Sequence, residues 1–283
     1  EVRVIDYLKC TIEIMKNELV INYEGKILPT PDAIIPRIGA SRTFYGTAMV
    51  RHFEMMDVFS TSGNLAIARS RDKLRSLQVL SKKGVDMPKT IFASNKSNAK
   101  DVIALSGGAP LVLKILEGTQ GVGVVLVDSE KAAKSVLDAF YGMEVNLLVQ
   151  EFIEEAGGAD IRALVVNDEV VGAMKRQGAE GDFRSNLHQG GSATAYKLSR
   201  KEKATALAAA KAMGLGVCGV DMIPSKRGPL VMEVNSSPGL EGIEKSTNIN
   251  IAAKIMDFIE KSVKPKCPIN PQKRKLKKDK IGA

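Results

Sequence analysis

Long apolar runs, histidine and paired cysteine are what this sequence has least of, and each shortage removes a class of function. No uninterrupted apolar stretch approaches the roughly 18 residues that a membrane-spanning helix needs. The N-terminus also lacks the basic-then-apolar order of a signal peptide. A cytoplasmic protein with no membrane partner is therefore expected. The three cysteines, Cys10, Cys218 and Cys267, are odd in number and far apart, and the only histidines are His52 and His188. Zinc-type ligand spacing cannot be assembled locally from these. Nothing around them matches a nucleophile motif, and Cys218 in "GVCGV" reads as a small buried apolar residue.

What is present is ordinary globular composition: 283 residues, 44% hydrophobic and 26% charged, enough for two or three packed units. The net charge of +9 is unevenly placed. Residues 264–283 carry eight Lys or Arg and one Asp, so +7 sits there and +2 remains for residues 1–263. That tail has three prolines, few large apolar residues and no periodicity, the composition of a disordered extension. It is either an electrostatic arm toward a ribosome or RNA, or a solvated terminus.

The body alternates strand and helix patterns. "EVRVID", "DAIIPRIG" and "DVFS" read as strands around a helix at "TFYGTAMVRHFEMM". "NLAIARSRDKLRSLQVLSKKG" reads as one helix, with Asn64 as N-cap and Gly84 as its stop. Further on, "KTIFAS", "PLVLKIL", "VGVVLVDS" and "NLLVQEFIE" are strands, with helices at "NAKDVIALSGG" and "SEKAAKSVLDAFYGM". "DIRALVV" and "EVVGAMKRQ" pair across an Asn167-Asp168 turn. An alanine-rich helix over residues 200–213, strands at "GVCGVDMI" and "PLVMEVN", and a helix within "NIAAKIMDFIEKSV" complete the body.

Three features carry chemistry. In "GPLVMEVNSSPGLEG", alternation along the strand sends Glu233 and Asn235 to one face. A carboxylate there calls for a metal, a basic partner or exposure in a cleft, and simple exposure at a sheet edge is the plain alternative. In "KILEGTQGVGVVLV", Gly118, Gly121 and Gly123 join two strands. Backbone N–H groups could cradle phosphates there as a lid over a nucleotide, or the glycines could form an ordinary hairpin turn. Lys114 lies mid-strand in "PLVLKIL", where a lysine is rare unless an anion meets it.

In this order, Lys73, Lys114, the "EGTQGVGV" segment, "VQEF", Asp221, Glu233 and Asn235 resemble the ATP-grasp ligases. The segments "PRIG", "FYG", "RDKLRS", "GGAPLVLK", "EGTQGVGVVL", "EGDFRSNLH" and "VMEVNSSPGLEGIE" are similar to the RimK family within them, over residues 1–262. The resemblance implies an α/β fold with α+β lobes, an ATP-grasp fold with a truncated N-terminal pre-ATP-grasp domain. Its divisions would be a pre-ATP-grasp unit at 1–66 without its first βα piece, an N-lobe with a glycine-rich lid at 67–147, a C-lobe with a metal site at 148–263, and the basic tail at 264–283.

The resemblance also implies roles. Lys73 and Lys114 would meet the α and β phosphates of ATP, with Gly118, Gly121 and Gly123 as the lid. The backbone at Glu151 and Phe152 would read adenine, with Asp160 toward the nucleoside. Arg176, Arg184 and Asn186 would serve the transferring phosphoryl and substrate carboxylates, with Ser185 beside them at the nucleotide. Asp221, Glu233 and Asn235 would hold one or two Mg²⁺, or Mn²⁺.

The implied reaction is glutamate ligation to the C-terminal tail of a small-subunit ribosomal protein through an acyl phosphate, in a homo-oligomer. Two other activities stay open: ligation of glutamate or another amino acid to a small cofactor, and a non-catalytic, ribosome-associated nucleotide-binding module.

Overall fold

In the computed structural model, residues 1–94, 97–116, 123–179, 181–185 and 190–263 are described. Gly118, Gly121, Asn186 and the basic tail lie outside the described residues. The chain opens with an antiparallel meander, β1 (Cys10–Met15), β2 (Glu18–Tyr23) and β3 (Lys26–Ile27). A parallel pair follows, β4 (Ala33–Ile34) and β5 (Phe59–Ser60), bridged by α1 (Thr43–Met55). Residues 1–6, expected as strand, take no strand pairing.

The helix expected from Asn64 to Gly84 is two helices. α2 (Asn64–Arg71) ends at Asp72, whose extended backbone breaks the run. The Asp72 carboxylate then accepts from the Arg75 N–H and starts α3 (Lys73–Lys82). The break is an N-cap winning over helix continuation, since a short acidic side chain satisfies an orphan donor best from a non-helical position.

A four-stranded antiparallel sheet comes next, in the order β6 (Thr90–Ala93), β9 (Leu147–Glu151), β7 (Leu111–Ile115), β8 (Val124–Val127). α4 (Ala99–Ser106) and α5 (Glu130–Gly142) cover one face of it. Leu111, Leu113, Leu147 and Val149 pack there against Val102, Ile103, Ala133 and Leu137. Alternation leaves Val112, Lys114, Leu148 and Gln150 on the other face.

The second large sheet has five antiparallel strands, in the order β12 (Ser192–Ala195), β11 (Glu169–Gln177), β10 (Ala159–Val166), β13 (Val217–Ile223), β14 (Leu230–Asn235). One face buries Ile161, Ala163, Val165, Cys218 and Val220 under α6 (Arg200–Met213), whose Ala206, Ala209 and Ala210 permit close approach. The opposite face is divided along its strands. At one end Leu164, Val166, Met174 and Val217 lie beneath α7 (Glu241–Thr247) and α8 (Ile251–Ser262). At the other end no helix covers it among the described residues, and there the charged residues stand. β12 and α7 are short elements that pattern alone did not single out.

Gly216, at the entry to β13, is a tight point of this packing. A Cβ there would lie 2.3 Å from the Thr61 carbonyl oxygen and 3.0 Å from the Phe258 ring. Gly216→Ala is expected to cost about 2 kcal/mol by overpacking, lowering Tm by about 4–8 °C. A melting curve superimposable on the parent's would show that the contact relaxes freely.

Candidate functional site

The uncovered end of the five-stranded sheet is a chain of alternating charges. Register sets Asp160 of β10 opposite Arg176 of β11, Arg162 of β10 opposite Asp221 of β13, and Asp221 opposite Glu233 of β14. Arg162 grips Asp221 with both fork positions, Nε to Oδ1 at 2.7 Å and Nη2 to Oδ2 at 2.6 Å. Arg176 donates from Nε to Asp160 Oδ1 at 2.7 Å, and from Nη2 to Oδ2 of the same carboxylate and, at 2.9 Å, to Asp221 Oδ2. Asp160 and Asp221 are each 2% exposed and Arg176 is 6% exposed. Bidentate guanidinium pairing is what makes such burial tolerable, because every charge has an oriented partner.

These contacts set the ionisation of the cluster. Burial alone would push the Asp221 carboxyl up, but the guanidiniums of Arg162 and Arg176 outweigh it and hold Asp221 well below the usual carboxylate range. Asp160 is pushed up, by burial first and then by Asp221, with Arg176 and a hydrogen bond from Ser185 opposing. Glu233 is pushed up by burial and by Asp221 opposite it. Its side chain stays accessible to solvent while protein surrounds it, the situation of a residue on a cleft floor.

The other wall of the cleft comes from the four-stranded sheet. Lys114 of β7 donates to Gln150 Oε1 of β9 at 2.6 Å, and Gln150 Nε2 donates to Thr90 Oγ1 of β6 at 2.8 Å. Lys73, the first residue of α3, donates to the Leu116 carbonyl at 2.7 Å. Burial lowers Lys114 to about 8; Glu233 opposes the shift and Lys73 adds to it. Lys73, Lys114 and Glu233 are thus within electrostatic reach of one another, two cations facing an acidic strand across the cleft. Gly123, with φ of +73°, closes the described end of β8; a Cβ there would strike Ile115 at 2.2 Å.

Near the end of β9, the Glu151 carboxylate pairs with Arg227 of the β13–β14 turn and accepts from the Lys89 N–H at 2.6 Å. Phe152 meets Phe183 edge-on, ring centroids 6.3 Å apart, and Arg184 lies over the Phe183 ring and pairs with Asp182. This lays the segment 181–185 against the end of β9. Asn235 Oδ1 accepts from the Ser237 N–H at 2.9 Å, fixing the turn after β14.

The structure thus brings Asp160, Arg176, Ser185, Asp221, Glu233, Lys73 and Lys114 around one cleft, while Glu151, Phe152 and Arg184 form a separate group at the β9 end. Pattern reading missed Arg162 and Gln150. Each had a sequence signal: Arg162 is two residues from Asp160 on one strand face, and Gln150 stands among apolar residues in "LLVQE".

An oxygen donor set of two carboxylates and an amide suits Mg²⁺. Glu233 and Asp221 directly opposite each other form a like-charge pair that a divalent cation relieves. These residues fit such an ion, with Asp221 shared between it and the two arginines.

Two solved ligase structures share this architecture. The ATP-grasp ligase PsnB, complexed with minimal precursor, is similar at TM-score 0.69 with 19% identity over 90% of this chain and 86% of that one. D-alanine–D-alanine ligase from Bacillus anthracis, complexed with ATP, is similar at TM-score 0.60 with 22% identity over 77% and 75%. The fold is that of the ATP-grasp ligases. The models of the RimK-like ATP-grasp domain and the RimK PreATP-grasp domain match residues 70–259 and 1–67. The "probable alpha-L-glutamate ligase" of Saccharophagus degradans is 62% identical over 264 residues, 93% of this chain and 88% of that protein. That of Shewanella loihica is 61% identical over 265 residues, 94% and 88%. The chain belongs to the RimK-like ATP-grasp family.

The ammonium of Lys114 is charged below pH 8 and neutral above it, since burial lowers it to about 8. Where Lys114 meets a phosphate, ATP affinity falls about tenfold per pH unit above 8, because binding must then take up a proton. Lys114→Met is expected to weaken ATP about tenfold or more at pH 7 and to flatten that dependence. Calorimetric titration at pH 7, 8 and 9 measures both; equal wild-type affinity at pH 7 and 9 would remove Lys114 from the phosphate site.

Proposed function

We propose that this protein is an ATP- and Mg²⁺-dependent ligase that joins L-glutamate, through its amine, to the C-terminal carboxylate of a small-subunit ribosomal protein. The observation that carries the ATP- and Mg²⁺-dependence is the cleft itself: Lys73 and Lys114 on one wall, and Asp221 and Glu233 paired on the other. The relatives' printed activity supports glutamate as the amino acid.

Lys73 and Lys114 balance the triphosphate's charge, and Gly118, Gly121 and Gly123, of which only Gly123 is among the described residues, are assigned to the phosphate lid. The backbone at Glu151 and Phe152 reads the adenine, and Asp160 and Ser185 lie toward the nucleoside. Mg²⁺, with Mn²⁺ as an alternative, would be held by Asp221, Glu233 and Asn235, and bound there it would supply charge neutralisation for the nucleotide phosphates.

No nucleophilic side chain is required. The acceptor's carboxylate attacks the γ-phosphorus, giving an acyl phosphate and ADP, and the amine of glutamate then displaces phosphate. The protein's part is position and charge. Arg184 and Asn186 are assigned to the transferring phosphoryl and substrate carboxylates, Arg184 having first to leave Asp182, whereas Arg176, expected beside them, is taken up by Asp160 and Asp221 and acts from behind by orienting those carboxylates.

The test is ADP release with Mg²⁺ and glutamate, with and without an acidic C-terminal peptide of the ribosomal acceptor, followed by the intact mass of the peptide. Glutamyl mass increments are expected, and Asp221→Asn with Glu233→Gln is expected to lower turnover by at least a hundredfold. ADP release that leaves the peptide mass unchanged would reject this acceptor and favour ligation to a small molecule. Full turnover in the double variant would reject the metal assignment.

A further inference from the structure

The "PRIG" segment is unused by the nucleotide chemistry, yet it is built with care. Ile38 is buried against α1, where Gly46 lets it approach so closely that a Cβ would lie 2.5 Å from Ile38 Cγ2. Arg71, at the end of α2, donates from Nη2 to the Ile38 carbonyl at 2.6 Å and pins the segment from the other side. With Ile38 fixed inward, its neighbour Arg37 remains accessible. Among the described residues neither Arg37 nor Arg71 forms an ion pair, and the Arg71 Nε is buried without a hydrogen-bond partner.

Arg37 lines a cavity of about 320 Å³ between this segment and the turn after β14. That is the lower end of the ~300–1,000 Å³ typical of small-molecule sites. Its walls are largely apolar, including Ile35, Leu240 and Ile255. Of its buried polar lining residues Thr61, Ser62 and Ser236, Ser62 is satisfied by Val217, whereas Ser236, 4% exposed, has an Oγ with no hydrogen-bond partner among the described residues. A buried hydroxyl without a partner is costly, and a guanidinium without an anion is poised to take one. Ser236 follows Asn235 directly in the chain, so the cavity adjoins the acidic strand of the cleft. Arg71 is within electrostatic reach of both Arg37 and Glu233.

Building on the ligase activity proposed above, we infer that this cavity is the subsite of the incoming amino acid, whose carboxylate pairs with Arg37 and accepts from Ser236 while its methylene chain lies on Ile35 and Leu240. One fork and one hydroxyl match one carboxylate, and the apolar walls match a short aliphatic chain. The triphosphate has its own cations in Lys73 and Lys114, so the two anions are kept apart.

The test compares wild type, Arg37→Gln, Arg37→Lys and Ser236→Ala in the full chain, with KM measured separately for glutamate, ATP and acceptor peptide. Arg37→Gln is expected to raise the KM for glutamate at least tenfold and Ser236→Ala about fivefold, with the KM for ATP within twofold; Arg37→Lys should recover part of the loss. An unchanged KM for glutamate, or a rise confined to the acceptor peptide or to ATP, would overturn the assignment.

If wild type releases no ADP with glutamate, the ligase activity itself fails. The subsite is then decided by calorimetric titration of glutamate alone. Binding by wild type that Arg37→Gln removes supports it, and no binding, or equal binding, overturns it. Melting curves establish that each variant is folded.

Discussion

Asp221 held between two guanidiniums is the constraint on which the rest of the site depends. A buried carboxylate costs several kcal/mol unless its partners are oriented, and here Arg162 reaches it from the adjacent strand β10 and Arg176 from β11 beyond, both by direct hydrogen bonds. The network keeps Asp221 ionised inside the protein. It also fixes the strand register at the uncovered end of the sheet, because a one-residue slip would turn Asp160, Arg162 and Arg176 toward α6 and its alanine face.

The two sheets contribute opposite charge. The five-stranded sheet presents acid at its uncovered end, and the four-stranded sheet presents Lys114 on the face its helices leave open. Lys114 is held at an energetic cost, since burial lowers its ionisation. Such a cost is common where a site is shaped for an anion that arrives later. Stability and function pull in different directions at this residue.

Much of this was legible from residue order. Alternation alone put Glu233 and Asn235 on one face, and Lys114 stood out as a cation inside an apolar strand. Other features arise only in three dimensions. The helix break at Asp72 was hidden because Leu74, Leu77 and Leu80 continue the apolar period on its far side, while a capping carboxylate leaves no gap in that period. Arg162 was not singled out within "DIRALVV"; only strand pairing sets it against Asp221. The cavity of Arg37 and Ser236 joins residues some two hundred positions apart, and no local pattern encodes such a distance.

The most direct measurement is a crystal structure with ADP and Mn²⁺, the ion located by its anomalous signal. The account predicts an ion bound by Asp221, Glu233 and Asn235, with the phosphates reaching Lys73 and Lys114 and with Arg162 still paired to Asp221. An ion placed elsewhere, or phosphates that avoid both lysines, would contradict it.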